Sequence, residues 1–223
     1  MIWALALTLL VWGGASWLAR FGRGTLNPVL VSTIVIGAVL VIGRIPLASY
    51  EEGAAPLTAL LGPAVVALAF AIDRGARRLG RRLMAVAIAG TIATIVGAAV
   101  TVVVAWALGA SGELLRILAP KHATSAVSAA VAEVLGVDAS LAAVFSILTG
   151  ILGAVAGPPL LRLMRLRDPV AGGFAIGLSA HAIGTARAME EGPALGGSSA
   201  LGLALASLLV PLAILGASLL GWL

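Results

Sequence analysis

The sequence predicts an all-α, polytopic membrane protein, and three observations predict it. Of 223 residues, 61% are hydrophobic and only 10% are charged, against about 25% charged in a soluble chain whose surface must face water. Apolar runs near 20 residues recur along the whole length, and about 20 helical residues cross a hydrocarbon core of about 30 Å. The mean hydropathy of +1.15 leaves no stretch for a water-soluble domain, so residues 1–223 are expected to form a single integral membrane domain. An open strand in lipid would leave its backbone N–H groups unpaired, which makes helices the expected spans.

Apolar runs between charge clusters place segments near 2–19, 27–43, 54–73, 83–108, 111–135, 140–161, 169–188 and 198–222, about seven or eight transmembrane segments. The first run has no basic start and stays apolar from Ile2 through Trp17, which predicts a retained helix and not a cleaved signal peptide. Trp3, Trp17, Trp106 and Trp222 fall near segment ends, as interfacial anchors do, while Trp12 lies deeper.

Net charge is +5. In a soluble protein such a balance points to nucleic acid, but here the arginines occupy short loops between apolar runs, where they record orientation. Three loops carry most of them: Arg20 and Arg23; Arg74, Arg77, Arg78, Arg81 and Arg82; and Arg162, Arg165 and Arg167. Positive loops favour the cytoplasm, yet if every segment crosses once, the third loop lies opposite the other two. The segment 111–135, interrupted by Pro120, Lys121 and His122, is therefore predicted to enter and return on one face or to be a broken helix. The alternative is a plain crossing with three arginines outside. A weak internal repeat pairs Leu60-Leu61-Gly62-Pro63 and Gly97 with Ile117-Leu118-Ala119-Pro120 and Gly153; paired interrupted segments build the central site of many transporters.

Two polar clusters stand out inside apolar runs. In Ala119-Pro120-Lys121-His122-Ala123-Thr124-Ser125, the proline lacks an N–H, and the residues after it can begin a new half-helix. Lysine at the bilayer centre costs about 2.5–3.5 kcal/mol on insertion scales, so Lys121 either faces a polar cavity or snorkels to a headgroup. An ammonium beside a helix N-terminus suits an anion. The second cluster, Ser179-Ala180-His181-Ala182-Ile183-Gly184-Thr185-Ala186-Arg187, follows Gly172, Gly173 and Gly177. Gly184 is expected to mark an unwound stretch, and Thr185 either shares a face with His181 or caps a following half-helix. Arg187 can grip a carboxylate bidentately, or pair at the segment end with Glu190 and Glu191. Glu133 is a further candidate for proton coupling, or an interfacial residue beside Asp138.

His122 and His181 are the only histidines and there is no cysteine, too few ligands for a zinc site, so no metal and no cofactor are expected. Imidazole does allow a proton-linked role. No nucleophile elbow, Walker loop, His-Glu-x-x-His helix or intrasegment carboxylate pair is present in the sequence, which argues against an enzyme.

The chain resembles the LrgB/CidB family of bacterial membrane proteins, called antiholin-like. The resemblance rests on Asn27-Pro28, Leu61-Gly62-Pro63-Ala64, Ala119-Pro120-Lys121, Leu148-Thr149-Gly150-Ile151-Leu152-Gly153-Ala154, Gly157-Pro158, Arg167-Asp168-Pro169 and above all Ser179 to Ala188. His122 and Ala126 depart from the family pattern of Pro-Lys-Ser-Val-Thr-Thr-Pro. The resemblance implies a multi-pass protein of the bacterial inner membrane. It also implies either control of cell lysis and murein hydrolase activity beside a small LrgA/CidA-type partner, or, as in the plastid glycolate/glycerate translocator, carriage of small monocarboxylates. The residues favour a carrier of a short anion, which the resemblance makes a monocarboxylate of the glycolate, glycerate, pyruvate or lactate class, alternating access by proton coupling or otherwise. Lys121, His122, Thr124 and Ser125 would meet His181, Gly184, Thr185 and Arg187 around the anion, in a homo-oligomer with the dimer favoured. A holin-like oligomeric regulator is the alternative.

Overall fold

The structure, a computed structural model, describes residues 2–21, 28–60, 70, 73, 76–77 and 80–221. Arg23, Asn27, Leu61-Gly62-Pro63-Ala64, Arg74, Arg78, Trp222 and most of the expected 54–73 segment lie outside the described residues. All the regular elements among them are helical, and the chain divides into two compact units, Met1–Ala69 and Phe70–Leu223.

The first unit holds α1 (Ile2–Phe21), α2 (Pro28–Ile42) and α3 (Leu47–Ala59). Twenty residues carry α1 across about 30 Å, whereas the 15 of α2 reach only about 22 Å. α3 starts seven residues before the expected third segment and carries Tyr50, Glu51 and Glu52. Thr8 and Tyr50 share a 2.8 Å hydrogen bond between α1 and α3.

The second unit is built on three long helices, α4 (Leu83–Ala107), α7 (Ala139–Leu163) and α9 (Pro193–Leu219). Shorter pieces fill the gaps: α5 (Gly112–Leu118), a 3-10 turn (Ala119–His122) and α6 (Ser125–Val134) between α4 and α7, and α8 (Pro169–Glu191) between α7 and α9. Among the described residues four helices, α1, α4 extended back to Gly80, α7 and α9, are long and apolar enough to cross a membrane. Of the other four expected segments, 111–135 and 169–188 reverse direction halfway, 27–43 holds a helix of only 15 residues, and most of 54–73 lies outside the described residues.

The first reversal joins α5 and α6. Straight helix would put Ile117 and Ala132 about 22 Å apart, yet both belong to one buried cluster with Ala142 at the start of α7, flanked by Val137 and Ala139. Ser128 Oγ reaches back to the Pro120 carbonyl at 2.7 Å. α5 therefore runs inward for about 10 Å, the chain turns, and α6 leaves beside α7 at the end it entered.

The second reversal lies inside α8. His181 adopts φ 38° and ψ −131°, which is not helical, and splits α8 into arms 169–180 and 182–191. Gly184 Cα consequently sits against Ile176 and Ala180, eight and four residues back. Ala188 shares a buried cluster with Ile176 and Ala180, packed on Leu161 and Leu195. The first arm rises alongside α9, Gly173 against Leu195 and Gly177 against Ser199. The second arm descends, Thr185 beside Ser199 and Met189 beside Gly196. The expected interruption near Gly184 is thus displaced to His181, because Gly184 is helical and its missing side chain serves the close approach of the two arms.

Sequence explains the boundaries. Ser111, Thr124, Asp138 and Asp168 each stand in extended conformation as N-caps, their side chains accepting from the backbone N–H of Leu114, Val127, Leu141 and Val170. Pro169 and Pro193 occupy first helical positions, where no N–H is needed. Gly192, at φ 144°, supplies the backbone that only glycine adopts readily between α8 and α9. α7 packs antiparallel on the first arm of α8, with Leu161 facing Gly172, Gly157 facing Ile176 and Gly153 facing Ala180.

Candidate functional site

The tips of the two hairpins meet in the middle of α7. Ser146, fully buried, donates its Oγ–H to the Ala123 carbonyl at the tip of the first hairpin. Its own carbonyl accepts from His181 Nε2–H, at the tip of the second, at 2.9 Å. A side chain one turn further along α7 would block that approach: a Cβ at Gly150 would stand 2.5 Å from His181 Cε1. Glycine at position 150 is what lets an imidazole reach a carbonyl inside a helix.

α4 holds the other side of the first tip. Thr101 donates its Oγ–H to the Gly97 carbonyl at 2.9 Å, and His122 Nε2 lies 2.9 Å from Thr101 Oγ1. With that hydroxyl proton spent, the network assigns the hydrogen to His122 Nε2. Gly97 faces the His122 ring as Gly150 faces the His181 ring, though with more room: a Cβ at Gly97 would stand 3.7 Å from Nε2. Lys121, half-buried, immediately precedes His122 on the 3-10 turn, and Ser146 ties the end of that turn, at Ala123, to the tip that carries His181. Lys121, His122 and His181 are thus brought together.

The remaining expected residues are placed differently. Thr124 caps α6 through a 3.4 Å bond from Val127 N–H, and Ser125 is the first residue of that helix. Gly184 and Thr185 lie on the second arm of α8, where Gly184 serves packing and Thr185, buried, shares a 2.9 Å hydrogen bond with Ser199 on α9. Thr185 caps nothing. Arg187 is held on its own arm by Glu190 at 2.9 Å and Glu191 at 3.0 Å, the second of the two arrangements open to it. Glu133 is exposed at the end of α6.

Sequence reasoning passed over Ser146, Thr101, Ser128 and Ser199. Hydroxyls in apolar helices usually bond a carbonyl one turn back, as Thr91 and Thr149 do here. Nothing local distinguishes a serine that bridges two hairpins from one that bridges nothing. Among the described residues no group of His, Asp and Glu is arranged to hold a metal ion.

The LrgB-like family model matches residues 8–219. The chain belongs to the LrgB family. The LrgB relative YwbG of Bacillus subtilis, described as an uncharacterized protein, is 32% identical over 92% of each chain. A Haemophilus influenzae relative, also described as uncharacterized, is 30% identical over 86% of each. The Staphylococcus aureus relative named holin-like protein CidB is 29% identical over 88% of this chain and 87% of its own. No solved structure matches the chain.

Proposed function

We propose that this LrgB-family membrane protein acts as a holin-like regulator of cell lysis of the CidB type. The observation that carries this reading is the named similarity, which spans 88% of the chain and takes in both hairpins. A small LrgA/CidA-type membrane partner and self-association in the bacterial inner membrane belong to the same proposal.

The geometry favours a second reading, a carrier of small monocarboxylates such as glycolate, glycerate, pyruvate or lactate. Two hairpins reach inward from opposite ends of α7 to about 10 Å and 18 Å. Together they span the ~30 Å of a bilayer core, which neither crosses alone. Their tips carry one ammonium and two imidazoles, of which His181 is buried and Lys121 and His122 half-buried, an arrangement that a nonspecific pore does not need and that transporters with broken helices use for substrate. The glycine that faces the second tip is Gly150, whereas Gly153, which the sequence repeat pairs with Gly97, faces Ala180. In this proposal both hairpins re-enter the membrane on the side they came from. Arg81 and Arg82 before α4 then share the cytoplasmic face with Arg162, Arg165 and Arg167 after α7, as the positive-inside bias favours.

Proteoliposomes holding a trapped dye and offered labelled glycolate or pyruvate separate the two. Holin-like action releases dye in proportion to protein density and is insensitive to Lys121→Ala. Carriage gives saturable uptake with the dye retained, abolished by Lys121→Ala. Uptake that survives this substitution would sink the tip junction as the route.

A further inference from the structure

Two apolar grooves lie between α4 and α9. One, of about 300 Å³, is walled by residues such as Ala99, Val103 and Ala213. The other, of about 260 Å³, lies nearer the start of α4, between Leu83 and Val86 of that helix, Leu201 and Leu208 of α9, and Phe174 on the first arm of α8. Leu208 at its lip is 60% exposed, so the second groove opens sideways. What separates the two is charge. Arg81 and Arg82 stand immediately before Leu83, both exposed and with no ion pair or hydrogen bond among the described residues. Arg77, by contrast, is held by Asp73, and Arg187 by Glu190 and Glu191. At the far end of α4, beyond the first groove, the last helical turn carries no basic residue.

We infer that the groove beginning at Leu83 binds one anionic phospholipid of the phosphatidylglycerol type, its phosphate on Arg81 and Arg82 and one acyl chain between α4 and α9. Guanidinium groups pair bidentately with phosphate oxygens, and the groove wall is hydrocarbon throughout. Charge complementarity selects this occupant. A zwitterionic lipid brings its own cation towards the arginines, and an apolar helix of a second copy would leave both guanidinium groups unpaired. At ~30 Å³ per water-sized atom, the groove holds about eight or nine carbons of the chain. Phe174 belongs to the second hairpin, and its ring also stands against Gly90 of α4, so a seated acyl chain braces that hairpin against both long helices. The site does not depend on whether the chain regulates lysis or carries anions.

The test is native mass spectrometry of the purified full chain, released from micelles holding equal amounts of phosphatidylglycerol and phosphatidylcholine. The native chain is expected to retain one phosphatidylglycerol at least tenfold more often than one phosphatidylcholine. Arg81→Gln combined with Arg82→Gln should erase that preference, since each cation near an anionic lipid surface is worth about a factor of five. Arg162→Gln combined with Arg165→Gln removes the same charge elsewhere and should leave the preference unchanged. Ala204→Phe fills this groove and should cut retention of phosphatidylglycerol about tenfold, whereas Ala213→Phe fills the other groove and should not. Thermal unfolding in lipid-free detergent identifies a groove variant that fails to fold, in which case the exposed arginine pairs decide the site. Equal retention of both lipids by the native chain, or equal loss in the two arginine pairs, overturns the site in favour of diffuse attraction. Glycerol phosphate displacing the lipid overturns the groove as its anchor. A dimer lost with Ala204→Phe while lipid retention holds overturns the proposal and gives the groove to a second copy.

Discussion

The two hairpins make the same reversal by different physical means. In the first, the break is local: Pro120 lies in a 3-10 turn, Ala123 and Thr124 are extended, and Thr124 caps the helix that follows. No residue from Ala119 to Thr124 has a positive φ. In the second, the break is one residue, His181, whose φ of 38° is costly for any side chain but glycine. No proline precedes it in the arm after Pro169, and the glycines near it are helical. What holds it is α7, through the Ser146 carbonyl and the bare backbone of Gly150. One reversal is written into its own segment and the other is imposed by a neighbour.

The glycine pair should break this comparison most visibly. Gly150→Ala puts a Cβ 2.5 Å from His181 Cε1 and 3.0 Å from Ile183 Cδ1, both in the second hairpin, and overpacking of this kind costs about 1–3 kcal/mol. Gly97→Ala meets nothing closer than 3.7 Å and should instead gain the ~0.8–1.0 kcal/mol by which alanine exceeds glycine in a helix. Thermal unfolding in detergent should therefore shift down for the first and up for the second. Equal shifts would mean that the tips are held alike.

Ser146→Ala tests the link between the hairpins. It leaves the buried Ala123 carbonyl without its hydroxyl partner, at a cost of about 1–3 kcal/mol, but keeps the backbone carbonyl on which His181 rests. Protection from amide exchange should fall in residues 119–124 and hold near 181. Loss at both tips would show that the serine hydroxyl secures the pair.

His181→Gly and His181→Ala separate strain from bonding. Both lose the bond to Ser146, worth about 1 kcal/mol, but glycine also relieves backbone strain of about 1–3 kcal/mol. The glycine variant should unfold at the higher midpoint of the two. A reversed order would remove the strained backbone from the account of this turn.

The smallest perturbation sharpens sidedness. The chain has no cysteine, so single cysteines at the exposed Gly112 and Pro193 can be introduced without a background. With both hairpins re-entrant, an impermeant maleimide should label position 112 from outside intact cells and position 193 only after they are opened. Labelling of both from one side would refute opposed hairpins.

Much of this was legible in the residues. Scarcity of charge announced lipid, and the disagreement between arginine loops and simple counting singled out 111–135, where Pro120 and Lys121 mark the turn. The family was legible in the motif from Ser179 to Ala188. The second reversal was not, because Gly184 looks like a weak point in a one-dimensional pattern whereas His181 does not. The sequence by itself determined the helical class, the apolar stretches and the break at Pro120, since composition, proline geometry and capping act within a few residues, whereas the packing of Ile117 on Ala132 made that break a hairpin. Tertiary structure alone decided that His181 is the second tip, that Ser146 joins it to Ala123, and that Arg187 is occupied by Glu190 and Glu191. Those outcomes depend on which helices lie side by side, and a missing Cβ at Gly150 has meaning only once an imidazole is placed against it.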